Sequence, residues 1–332
     1  MTGSSRCFQR GMLVVMLVAA GISLLPAQTR ERGPWWPHPV WGPGDQSGGS
    51  NWITPQKVLE AISLVQGGEV YELGQIYEKG MPLYGKRTYS ILIPDPGPPV
   101  GENRLVGNDE FVCSEIGQVG TQFDGPGHIG TRMKMADGST KSVFYNGFTQ
   151  EDDMGGPYGL RKLGVENVKP IITRGILIDV AGYKGRDTLP NSYEVTLADV
   201  EGALRRQEMS ADSIRAGDAL FFNYGWSKLW GNAEEYNVNP PGIGLEVAAW
   251  IVASRASMVG ADTWPTEVVP NPDSRLMYPV HQELITKNGI FNLENMVFDG
   301  LVRDRVYEFL FILTPIRFKG GTGSPARPTA IR

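Results

Sequence analysis

Short runs that are apolar almost from end to end constrain this chain most. Residues 70–77, 111–123, 175–180, 219–224, 258–262, 291–296 and 307–318 each read as a strand, and several lack polar alternation. Strands of that kind are covered on both faces, as in sheets packed between helices. Helical segments lie between them. Thr54 and Pro55 form an N-cap followed by proline at the first helical position, with Val58, Ile62 and Val65 at helical spacing. Thr196 with Asp199 starts a helix that runs to about Gln207. Residues 245–255 put Leu245, Ala248, Ala249 and Val252 on one face, and residues 275–287 put Leu276, Val280 and Leu284 on one stripe. Strands and helices alternate without a break in composition, which predicts one mixed α/β domain.

Charge and motifs narrow the function. The net charge of −5 and the absence of a clustered Lys/Arg run leave nothing to hold a phosphate backbone, so nucleic acid is excluded as a partner. No Gly-x-Gly-x-x-Gly loop follows a strand and no Walker-type lysine appears, so nucleotide binding has no support. A small-molecule partner is the expectation.

The N-terminus carries a separate message. Arg6 and Arg10 precede the apolar residues 11–25, and Pro26-Ala27-Gln28 follows, which is the order of a secretory signal over residues 1–27. That stretch is short for a permanent span of about 30 Å of hydrocarbon. The expectation is an exported protein, periplasmic or secreted, with no stable membrane span after processing. Residues 28–50 form a Pro/Gly/Trp-rich arm, whose tryptophans are expected to dock rather than stay exposed. Residues 51–332 are read as the catalytic domain. Cys7 would leave with the signal. Cys113 alone forms no intrachain disulfide and reads as a small buried strand residue, with a nucleophile as the alternative.

Gln118-Val119-Gly120-Thr121-Gln122-Phe123-Asp124-Gly125-Pro126-Gly127-His128 is the most informative stretch. In a strand, Gln118, Gln122 and Asp124 sit at even offsets and share a face, so two amides and a carboxylate aim at one point. Gly125, Pro126 and Gly127 then break the strand and bring His128 round. A polar sheet face followed by a turn is the other reading. The remaining histidines are His38, in the arm, and His281, beside the apolar stripe of the 275–287 helix. Glu294 lies inside an apolar run, where a carboxylate is costly unless it is paired or metal-bound. With Asp124 and His128, these residues are the set a hydrolytic or acid–base site needs.

The stretch resembles the motif His-x-Gly-Thr-His-x-Asp-x-Pro-x-His of the cyclase family, which includes bacterial kynurenine formamidase and isatin hydrolase. Downstream segments agree in order: residues 173–180, Gly217-Asp218-Ala219-Leu220 leading to Tyr224-Gly225-Trp226, Gly260-Ala261-Asp262-Thr263, and His281 followed by Glu294-Asn295. The resemblance runs from about residue 50 to the C-terminus. It implies a swivelling β/β/α fold, a homodimer or higher homo-oligomer, and a divalent metal site. By position, the first two histidine ligands of the family fall on Gln118 and Gln122, the shared aspartate on Asp124, the last motif histidine on His128, and the later ligand positions on His281 and Glu294. Zinc prefers nitrogen and sulfur donors, so two amides in place of two imidazoles shift the implied ion from zinc towards manganese or magnesium. Equally, the amides can grip a substrate carbonyl in a site without metal.

Three expectations follow. The first is metal-dependent hydrolysis of a small cyclic amide, amide or ester, with His128 and Glu294 moving protons and Phe123 and Trp264 walling the substrate, core packing being the equal alternative for these two aromatics. The second is metal-free acid–base work on the same fold, such as cyclisation, dehydration or isomerisation. The third is an exported binding protein without catalysis. The arm and the Gly-rich tail at 319–325 are candidates to reach a neighbouring subunit or close over the pocket, and a plain surface turn is the other reading of the tail.

Overall fold

The structure, a computed structural model, describes residues 32–332; the signal at 1–27 and the first residues of the arm lie outside the described residues. In chain order the strands are β1 (Val70–Glu72), β2 (Tyr89–Leu92), β3 (Phe111–Ser114), β4 (Gln122–Asp124), β5 (Thr131–Lys134), β6 (Thr140–Val143), β7 (Ile171–Asp179) and β8 (Glu194–Val195). They continue with β9 (Ala219–Asn223), β10 (Gly242–Ile243), β11 (Met258–Ala261), β12 (Phe291–Glu294), β13 (Glu308–Leu313), β14 (Gly323–Pro325) and β15 (Thr329–Ile331). Nine of them form one mixed sheet in the order β1-β15-β13-β7-β9-β11-β12-β4-β14. The four central strands, β7, β9, β11 and β12, are parallel, and antiparallel strands flank them on both sides.

The central strands are apolar throughout because both faces are covered. On one face Ile176, Ile178, Leu220, Phe222 and Val259 pack under helices Leu197–Arg206 and Leu245–Ala253. On the other, Leu177, Phe221, Met258, Phe291 and Phe123 pack with Phe309 and Phe311. The two sets alternate along each strand, as the period of two requires. The sheet is thus the single mixed-sheet α/β architecture that the sequence implied.

The caps formed as read. The Thr54 hydroxyl accepts the Lys57 N–H at 3.2 Å ahead of Pro55–Ile62, and Thr196 and Asp199 make a reciprocal capping box. The arm docks on its own chain: Trp36 is buried, the His38 N–H donates to Asn146 Oδ1 at 2.7 Å, and Tyr145 donates to Asp45 Oδ2 at 2.7 Å. Among the described residues no helix is long and apolar enough to cross a membrane.

Four readings are corrected. Residues 111–123 are not one strand: β3 ends at Ser114 and β4 starts at Gln122, with left-handed backbone at Gln118 (φ 63°) and Gly120 (φ 60°) between them. A side chain at Gly120 would meet the Tyr77 ring at 2.5 Å, so only glycine allows the crossing from the β2–β3 ribbon to the main sheet. The predicted 275–287 helix starts instead at Pro279, because Tyr278 is left-handed and a residue before proline avoids the helical region. Leu276 therefore stays exposed, and the chain winds on as a wide turn over Gln282–Lys287. Cys113 is exposed on the ribbon rather than buried. The Gly-rich tail is neither lid nor plain turn: it ends in β14, which pairs with β4, and the Gly125 N–H donates to Thr322 O at 2.9 Å.

Candidate metal and acid–base site

The site forms where parallel β12 meets antiparallel β4, at the carboxyl end of the parallel strands, the usual place for a ligand in an open α/β sheet. The register pairs Asn292 with Asp124 and Glu294 with Gln122. Alternation sends these four side chains to one face and sends Phe123 and Leu293 into the opposite core. Phe123 packs against Phe291 with ring centroids 5.0 Å apart and tilted at 57°, so it is a core residue and not a substrate wall.

Glu294 is fully buried and surrounded by donors. Its Oε2 accepts from Gln118 Nε2 at 2.5 Å and from Gln122 Nε2 at 2.6 Å. Its Oε1 accepts from Asn292 Nδ2 at 2.7 Å and lies 3.2 Å from His281 Nε2. The Gln118 backbone N–H donates to Gln122 Oε1, which fixes the orientation of that amide. The left-handed turn at Gln118 is what allows both its N–H and its side chain to point inward although it is not in a strand. Gln118 Oε1 is buried and has no hydrogen-bond partner.

His281 is held by a residue that the sequence did not point to. Glu267, fully buried in the loop after β11, accepts from His281 Nδ1 at 2.5 Å and from the backbone N–H groups of Val280 and His281 at 3.1 and 3.0 Å. Nδ1 therefore donates to Glu267, and Nε2 faces Asp124 Oδ2 at 4.0 Å and Glu294 Oε1. Burial works to lower the His281 pKa, but hydrogen bonds to Glu267 and Glu294 outweigh it and raise the value well above normal. A carboxylate within an apolar loop between Pro265 and Pro270 was the signal for Glu267, by the same cost argument that marked Glu294. Asn292, two residues before Glu294 on the same strand face, was legible in the same way.

Asp124 and His128 complete the cluster. Burial pushes the Asp124 carboxyl up to about 6, against the pull of nearby His128. His128 Nε2 lies 3.7 Å from Asp124 Oδ1 and its side chain is partly exposed, so it stands at the mouth. Burial lowers its pKa and leaves a neutral imidazole near pH 7. Beside the cluster Trp264 stacks on Tyr84 at 4.1 Å, and Tyr278, next to both, is 5.9 Å from the His281 ring. Asp124, His281 and Glu294 bring one ligand atom each to within 4.8 Å of one another, all buried. No lysine or arginine pairs with these carboxylates among the described residues.

The family model described as "Putative cyclase" matches residues 71–268, more than half of the chain. The chain belongs to the cyclase family. Its fold matches a crystal structure described as that of a novel cyclase, with a TM-score of 0.76 and 28% identity, covering 88% of this chain and 98% of that one. It also matches isatin hydrolase A from Ralstonia solanacearum (TM-score 0.58, 19% identity, 84% and 98% covered). An isatin hydrolase bound to the product analogue thioisatinate matches with a TM-score of 0.56 and 18% identity over 83% and 98%. At such identities the two hydrolases speak for the fold alone. No curated protein matches the chain.

Proposed function

We propose that this cyclase-family protein is an enzyme that hydrolyses a small cyclic amide, amide or ester with the help of a divalent cation. The observation that carries the reading is the buried cluster of Asp124, His281 and Glu294, whose ligand atoms converge without any lysine or arginine to balance the carboxylates. Buried carboxylates in excess of cationic partners are costly unless a metal ion supplies the charge. The orphaned Gln118 Oε1 offers a further oxygen donor at the same place.

Asp124, His281 and Glu294 would hold the ion, and an oxygen-rich set with one imidazole suits manganese or magnesium better than zinc. When bound, such an ion supplies Lewis acidity towards a carbonyl and an acidified water. The chain's own groups do the rest. Glu267 fixes His281 with Nε2 inward. The Gln118 and Gln122 amides orient Glu294. His128, at the mouth, accepts a proton and returns it to the leaving nitrogen or oxygen, with Glu294 as its partner in proton transfer. Trp264, braced by Tyr84, forms a flat apolar side to the substrate space. We further propose, on the order of Arg6, Arg10 and the apolar residues 11–25 alone, that the enzyme acts after export.

One observation favours a second reading. All the donors on Glu294 are already supplied by protein groups, so a protonated His281 completes the network without any ion. The site would then perform metal-free acid–base chemistry such as a dehydration or cyclisation.

Elemental analysis of protein purified without chelators, with Asp124→Ala alongside, separates the two. About one equivalent of manganese, magnesium or zinc, lost in the variant, supports the hydrolase, and screening would begin with lactams, formamides and lactones. No metal in either protein hands the lead to the second reading. In an active preparation Glu294→Gln is expected to lower kcat by roughly 10²–10⁴-fold, and full activity in that variant would remove Glu294 from the mechanism.

A further inference from the structure

The carboxyl edge of the sheet holds a second polar hollow, set at the ends of β7 and β9 rather than at β12 and β4. β7 ends at Asp179 and β9 at Asn223, and the register places these two residues side by side. Both side chains are buried, and both line a hollow of about 260 Å³. A hollow of about 440 Å³ adjoins it, and Arg206, Arg305 and Tyr307 line the two in common. In the strand order β11 lies between this place and the catalytic cluster, and the two share no residue. The carboxyl ends of parallel strands are where an open α/β sheet takes its ligands, and the proposed hydrolysis uses only the other part of that edge.

Arg186, Arg206, Lys228 and Arg305 line the smaller hollow, against the two carboxylates Asp179 and Asp187. Lys228 lies 3.5 Å from Asp187 Oδ1, whereas Arg206 Nη1 is 4.0 Å from Asp179 Oδ2, too far for a hydrogen bond. Arg186 and Arg305 pair with no acid among the described residues. Cations gathered around one concavity repel each other and focus their field on an anion. The fold fixes their places. The Gln207 side chain accepts the Asp179 N–H at 2.8 Å and donates to Leu177 O at 2.6 Å. That stitches the end of the helix Leu197–Arg206 to β7 and sets Arg206 beside the hollow. Arg305 follows the helix Asp299–Asp304 with left-handed backbone (φ 54°), where glycine is usual, so the chain keeps an arginine there against the local preference.

The buried acid adds a second requirement. Asp179 Oδ1 already accepts from Asn223 Nδ2 at 2.7 Å and from the Gly182 N–H at 2.9 Å. Its Oδ2 has no hydrogen-bond donor among the described residues, and Arg206 approaches it only to 4.0 Å. A bare anion in the hollow meets this carboxylate and is repelled. An anion with a hydroxyl or ammonium group beside its charge supplies the donor that Oδ2 lacks. We propose that the hollow binds a small organic anion of that kind, a carboxylate with an adjacent hydroxyl or ammonium donor. The planar forks of Arg186 and Arg305 take the carboxylate, and Asp179 Oδ2 accepts from the neighbouring donor. The larger hollow, past Tyr307, leaves room for the rest of the molecule. This binding does not depend on whether the catalytic cluster carries an ion.

Titration calorimetry of the purified protein at low salt tests this with three dicarboxylates of one chain length: malate, aspartate and succinate. Malate or aspartate is expected to bind with a dissociation constant of about 1 mM or below. Succinate is expected to bind roughly 10-fold more weakly or worse, because it brings no donor to Asp179. Arg186→Gln/Arg305→Gln is expected to weaken the binding roughly 10-fold or more. Arg132→Gln/Arg275→Gln removes the same charge from exposed positions elsewhere and is expected to bind as the native protein does. A preference for malate identifies a hydroxyl donor, and a preference for aspartate an ammonium. No binding of any of the three, succinate bound as well as the others, equal loss in both double variants, or native affinity in Arg186→Gln/Arg305→Gln overturns the proposal. So does binding that disappears in Asp124→Ala, since it would then belong to the catalytic cluster.

Discussion

Two buried carboxylates in the same sheet have opposite surroundings. Asp218, at the start of β9, is fully buried and receives Arg174 in a bidentate pair at 3.1 and 2.6 Å together with Lys57. Arg174 is itself anchored by Glu308 at 2.8 Å. Every charge there has a partner, and the cluster ties the helix Pro55–Ile62 to β7 and β9. Glu294 and Asp124, two and three strands away across the sheet, have amides and imidazoles around them but no lysine or arginine among the described residues. Asp262 stands between these extremes: burial pushes its carboxyl up to about 7 although the N–H groups of Tyr224, Trp226 and Ser227 all donate to it. The difference teaches that burial of an acid does not by itself mark function; the unbalanced charge does.

The largest effect should come from breaking the balanced cluster. Arg174→Met leaves Asp218 buried with half its partners and is expected to cost about 3–5 kcal/mol in urea unfolding. The surviving folded molecules should keep their kcat. A loss below about 1 kcal/mol would mean that the cluster is less fully desolvated than its burial indicates, and the contrast with the site would weaken.

Next comes the support of the unbalanced cluster. Glu267→Gln keeps the size of the side chain but weakens the hold on His281 Nδ1, and metal affinity measured by titration calorimetry is expected to fall roughly 10–100-fold. Unchanged affinity would show that the protein does not hold an ion through His281.

Asp124→Asn sharpens the comparison by its sign. Removing one carboxylate from a site with too many should leave the chelator-treated protein as stable as before or more stable by about 1–2 kcal/mol, while abolishing metal binding. The equivalent change at Asp218 is expected to go the other way. Loss of stability at both positions would erase the distinction between them.

How much of this was legible in the sequence depends on the range of the cause. The strands and caps are local: Thr54 and Thr196 marked their helices and the apolar runs marked the central strands, whereas the run 111–123 merged two strands that a left-handed turn separates. Glu294 stood out because a carboxylate in an apolar run carries its own cost, Asp124 because it shares a strand period with two amides, and His281 because histidine is scarce in this chain. Their meeting was not local: Gln122 reaches Glu294 across 172 residues of chain, and only the pairing of β12 with β4 brings them together. Gln118 was read as a strand residue, whereas a left-handed turn between two glycines places it. Phe123 neighbours Asp124 and read equally as a pocket wall or a core residue; alternation along the same strand sends it to the opposite face and decides for the core. Cys113 was read as buried because a run of apolar residues looks the same in a covered strand and in an exposed two-stranded ribbon.

The smallest expected effect concerns a paired carboxylate outside both clusters, where the sign of the pH dependence is fixed by the pairing. Asp199, in the capping box, accepts from Tyr193 at 2.8 Å and pairs with Lys184. Burial alone would push its carboxyl up, but Lys184, Tyr193 and Thr196 hold it below the ordinary range. A carboxylate whose folded pKa is depressed adds stability above the unfolded value of about 3.9 and loses it as pH falls through the folded pKa. Because Lys184 is partly exposed, solvent screens the pair and the contribution is set at ~1 kcal/mol. Asp199→Asn is therefore expected to be less stable than the native protein by ~1 kcal/mol at pH 7, with the gap closing as pH falls below about 4. Urea unfolding across that range checks it. A gap that persists at pH 2 would assign the effect to the geometry of the cap rather than to the charge. In that case a carboxylate balanced by a partly exposed lysine and one balanced in the core would differ in kind as well as in size.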